Sequence, residues 1–105
     1  MGNYLAYLDE TEFLKKQESE ALRAAGKKDE TNLKKIEANL VGIFRAVYLS
    51  GVPFEEKINA IKAPWEARLE SAKAHGDFET VAQEERKLLT HEALMAKWRA
   101  QHDNC

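Results

Sequence analysis

A chain of 105 residues, 44% hydrophobic and 32% charged, has the length of one domain with a core of its own. Its formal net charge of -2, from 16 basic and 18 acidic side chains, leaves neither half strongly basic. That balance disfavours nucleic acid as a partner, because duplex affinity rests on neutralised phosphates. Its single cysteine, Cys105, rules out a disulfide within the chain.

Residues 3–25 are the first helical candidate. Tyr4, Leu5, Tyr7 and Leu8 open it, and Leu14, Ala21, Leu22 and Ala25 continue it. Asp9 and Glu12 have capping-box spacing, so either one helix starts near Asn3 or a short turn precedes a helix from about Asp9. Glu18 falls on the weak apolar side, and this helix is expected to be the most loosely held. Gly26 suits the left-handed residue that ends a helix.

The second candidate is the most apolar stretch. Leu33, Ile36, Leu40, Ile43 and Val47 recur at three- and four-residue steps, and Val41, Phe44 and Tyr48 widen the stripe. An arc that wide asks for at least two neighbouring helices. Asp29 is expected to cap this helix, with Glu30 in its first turn and Gly51 just past Ser50. Pro53 suits the first position of a third helix, whose stripe runs Phe54, Ile58, Ile61, Trp65, Leu69, Ala72. The stripe keeps its phase across Pro64, which predicts a kinked but continuous helix; the alternative is a break there.

His75-Gly76-Asp77-Phe78 is the clearest turn, with Gly76 closing one helix and Asp77 capping the next. The fourth helix, from about Phe78 to Gln101, carries two stripes. One holds Phe78, Ala82, Leu89, Ala93 and Ala96; the other holds Val81, Leu88, Met95 and Trp98, with His91 between them. The expectation is an all-α, single-domain, antiparallel four-helix bundle built from two hairpins, the third helix kinked at Pro64.

Signatures of chemistry are sparse. No glutamate stands three residues before a histidine, as a bundle di-iron site requires. His91-Glu92 begins like a zinc-protease motif, but Met95 occupies the second histidine position. His91 therefore reads as a partly buried core histidine with one hydrogen-bonded nitrogen, His75 as a last-turn residue and His102 as exposed. Glu55-Glu56 and Glu84-Glu85 point in diverging directions and read as solvated. No serine has an elbow motif, and no glycine loop could cradle phosphate. No catalytic residue, metal or cofactor is expected.

The reading that remains is a non-catalytic helical module that binds protein, itself or another chain, with a symmetric homodimer and a monomer both open. Two alternatives stand beside it. One is a ligand-binding or catalytic bundle with a pocket near Trp65, His91, Met95 and Trp98. The other is a nucleic-acid regulator using the basic turn of Lys27, Lys28, Lys34 and Lys35, residues that could equally meet an acidic protein. No apolar run approaches the roughly 20 residues of a membrane span, and no basic segment leads into a long apolar one. A cytoplasmic location is expected.

Overall fold

Phe44, with no exposed surface, lies at the centre of the core, and the helix that carries it touches all three others. A computed structural model describes residues 3–102, arranged as α1 (Asn3–Ala24), α2 (Lys28–Ser50), α3 (Phe54–His75) and α4 (Phe78–His102). Cys105 and the side chain of His102 lie outside the described residues. Among those described there is no strand, and the helices pack as a bundle of two hairpins, α1–α2 and α3–α4.

The hairpin turns share one mechanism. Gly26 and Gly76 adopt left-handed φ values of 77° and 69°. In the first turn Gly26 N–H donates to the Arg23 carbonyl and Lys27 N–H to that of Leu22, each at 3.0 Å. In the second, Gly76 N–H donates to Lys73 at 3.3 Å and Asp77 N–H to Ala72 at 2.9 Å. Both are Schellman closures, which satisfy the last free carbonyls of a helix. Asp77 then caps α4, accepting from the Thr80 N–H at 3.2 Å and the Thr80 hydroxyl at 2.7 Å.

One helix start left open by the sequence is decided, and two others differ from the sequence reading. α1 is a single helix from Asn3, so the Asp9 start is not used. Asp29 does not cap α2: the helix begins at Lys28, which leaves Asp29 and Glu30 inside the first turn, where their charge still meets the dipole. Lys27 holds the cap position with no side-chain bond, and its carbonyl accepts from Thr31 instead. Pro53 stands one residue before α3 rather than at its first position. α3 runs unbroken through Pro64. Pro64 and Ala60 both face solvent, so the carbonyl that proline leaves unbonded is open to water.

The buried face of α2 is swung toward Glu37, Val41 and Phe44. Ile43, expected inside, is 39% exposed, while Glu37 is 4% exposed. The cause is α1, which is not the loosest helix: its seam with α2 is the most extensive in the molecule. Small residues let the two backbones approach. Ser19 and Ala38 are buried in that seam, and a Cβ on Gly42 would stand 3.3 Å from the Glu12 carboxylate. At the other end of α1, Tyr4 and Leu8 are fully enclosed. Tyr4 donates to the Leu94 carbonyl of α4 at 2.8 Å and packs against Tyr7, Tyr48 and Phe54.

Candidate interaction surface

α4 has two apolar stripes, and the fold uses one. Met95 and His91 are buried and Leu88 and Trp98 pack against the core, so the second stripe faces α2 and α3. The first stripe faces water along its whole length. Phe78 is 81% exposed and Leu89 67%, and Ala82, Ala93 and Ala96 are exposed between and beyond them. From Phe78 to Ala96 this strip spans about 27 Å of helix.

Beside it runs a groove. α1 and α4 touch only sparsely, so the gap between them is open, and α2 forms its floor. One part is a cleft of about 550 Å³ lined by Leu22 of α1, Leu33 and Lys34 of α2 and Arg86 of α4, among others. A second, of about 250 Å³, is lined by Tyr7 and Lys15 of α1, Glu37 of α2 and Arg86, Leu89 and Ala93 of α4, among others. Leu89 and Ala93 belong to both groove and stripe, which makes the two one continuous surface. Leu14 of α1 is a further half-exposed apolar residue.

Glu37 anchors the floor. Its carboxylate accepts from Lys15 at 2.5 Å and Arg86 at 2.6 Å, with the Lys34 ammonium at 3.5 Å. Burial pushes its pKa up, but the bonds from Lys15 and Arg86 and the charge of Lys34 outweigh that and hold it below the usual carboxylate range. The four residues tie α1, α2 and α4 together. Nothing local in the sequence announces this: Lys15 and Arg86 lie 22 and 49 positions away.

The basic turn is divided by this arrangement. Lys34 points inward to Glu37 and also reaches Glu18 at 3.5 Å, whereas Lys27, Lys28 and Lys35 are exposed. Glu84, read as solvated, is 2% exposed. Lys87 reaches it at 3.0 Å and Arg68 at 3.6 Å, while one carboxylate oxygen has no hydrogen-bond partner. Glu85, Glu55 and Glu56 do face solvent.

The residues proposed for a pocket do come together, but as packing. Trp65 is 8% exposed and His91 2%, their ring centroids 6.4 Å apart edge-on, and Phe44 meets the imidazole from α2 at 5.4 Å. Trp98 stacks on Phe54 at 5.4 Å. The clefts beside the stripe are lined by other residues. Neither nitrogen of His91 makes a hydrogen bond of good geometry, although the Ile58 carbonyl of α3 lies close enough to favour the protonated ring. His75 ends α3 with Nδ1 2.8 Å from the Ser71 carbonyl. Among the described residues no three His, Cys, Asp or Glu side chains converge as a metal site would need, and no helix is long and apolar enough to cross a membrane.

Comparison with family models, with curated proteins and with solved structures finds no match to this chain.

Proposed function

We propose that this chain is a non-catalytic protein-interaction module whose docking face is the outer stripe of α4 with the adjoining α1–α4 groove. The observation that carries the reading is the exposure of Phe78 and Leu89 on a helix that has already filled its share of the core. Scattered apolar side chains on a surface need no explanation, but a stripe aligned along one helix and continuous with a groove is the geometry of helix-in-groove recognition. The partner that fits is an amphipathic helix presenting apolar residues at three- and four-residue steps. A single stripe buries less than a permanent dimer requires, so the complex is of the weak, reversible class.

A photo-crosslinking residue placed at Leu89 tests this in the cell, with the same group at exposed Glu66 of α3 as control. The reading expects a discrete adduct from position 89, absent from position 66 and abolished by Ala93→Glu. The adduct's mass distinguishes a second copy of this chain from another protein. Equal, diffuse labelling from both positions would overturn it.

A further inference from the structure

His91 occupies the point where α2, α3 and α4 meet. Phe44 and Trp65 close on its ring from α2 and α3, and it is 2% exposed. Neither ring nitrogen has a hydrogen-bond partner of good geometry. The charged groups that bear on it are Lys62 from α3 and Glu92 and Arg99 from α4; α2 contributes the Phe44 ring. Burial lowers its proton affinity most, Lys62 next and Arg99 least, against the Ile58 carbonyl and Glu92, which raise it. Farther along α4, Glu84 is already engaged by Lys87 and Arg68, so it offers no counter-charge.

The helix that covers His91 is the one least tied to the bundle. α3 is held mainly by α4, touches α2 sparingly and meets α1 at its N-terminal end, where Phe54 packs against Tyr4. Its hydrogen-bond ladder is interrupted at Pro64, the residue before Trp65. Proline inside a helix is a common point of bending.

We propose that His91 is an acid-sensitive latch for α3: a protonated imidazole finds no acceptor for its second N–H in the closed bundle, and α3 swings out about Pro64 to admit water, uncovering Trp65. The sign follows from linkage. A buried histidine held neutral contributes stability that is complete above its ordinary value of about 6.5 and declines as pH falls below it. The uncovered faces of α2 and α4 would then be available in acid and closed at neutral pH. This inference does not depend on the outer stripe of α4 being a docking face.

Hydrogen exchange of the whole protein at pH 7.5 and 5.5, corrected for intrinsic rates, tests it. The latch predicts that protection of Ile58–Leu69 falls by up to about tenfold per pH unit below about 6.5, while the α1–α2 seam keeps its protection. His91→Phe, which cannot take a proton, should lose that pH dependence. A titration of the His91 resonances in the unaltered protein is a second readout that needs no variant. It should show a midpoint below about 6.5, with the Trp65 signals moving at the same midpoint. Unchanged protection in α3, the same pH dependence in His91→Phe, or Trp65 signals indifferent to the titration would each overturn the latch.

Discussion

Glu37 ties three helices together through its charge. A buried carboxylate costs free energy unless it is paired and hydrogen-bonded, and three cations from three helices meet that need. Glu37→Ala would strand Lys15 and Arg86, but both reach solvent, which softens the loss. We expect destabilisation of about 2 kcal/mol at pH 7, read by urea denaturation, below the roughly 3–5 kcal/mol of a fully buried pair. Because its folded pKa is depressed, the contribution of Glu37 is complete above the ordinary glutamate value of about 4.3 and is lost as pH falls through the lower folded value. The stability difference between the unaltered protein and Glu37→Ala should therefore shrink only in acid below about pH 4.3. Tyr4 makes the opposite prediction. Burial first, then Tyr7 and Tyr48, raise its pKa, so its contribution is present below about 10 and falls as pH rises past that value. Tyr4→Phe should cost about 1 kcal/mol at pH 7 through the lost bond to Leu94 and flatten the alkaline decline.

At the scale of the element, α4 presents two faces whose substitutions should behave differently. Leu94→Ala, on the buried face, should cost about 2–5 kcal/mol. Leu89→Lys, on the exposed stripe, should change stability by less than about 0.5 kcal/mol, measured by the same denaturation. Pro64→Ala should restore a helical hydrogen bond and stabilise α3 by about 1–3 kcal/mol, since Pro64 faces solvent and no core contact is lost. The turns of these helices were legible in the sequence: Gly26, Gly51 and Gly76 all take positive φ, and Asp77 caps α4. The choice of face was not. The two stripes of α4 are similarly apolar, and only the positions of α2 and α3 decide that His91 and Met95 turn inward. Glu37 and Glu84 were missed for a related reason. An acidic residue on an apolar stripe reads as exposed until its counter-charges, distant in sequence, are brought to it.

The whole molecule measures 43 × 34 × 22 Å, about two helix diameters thick. Its radius of gyration of 14.8 Å exceeds the ~13 Å of a round domain of this length. The elongation follows from the contacts: α2 and α4 touch in the middle, α1 lies along α2, α3 lies along α4, and α1 meets α4 only sparsely. That sparse contact leaves the outer stripe of α4 and the groove beside it open. Thiol labelling of single cysteines in a Cys105→Ser background tests this disposition most directly. Leu89→Cys should react at nearly the rate of a free thiol under native conditions, while Leu94→Cys should react only as fast as the bundle opens. Equal rates at the two positions, or a protected Leu89→Cys in dilute protein, would contradict the account.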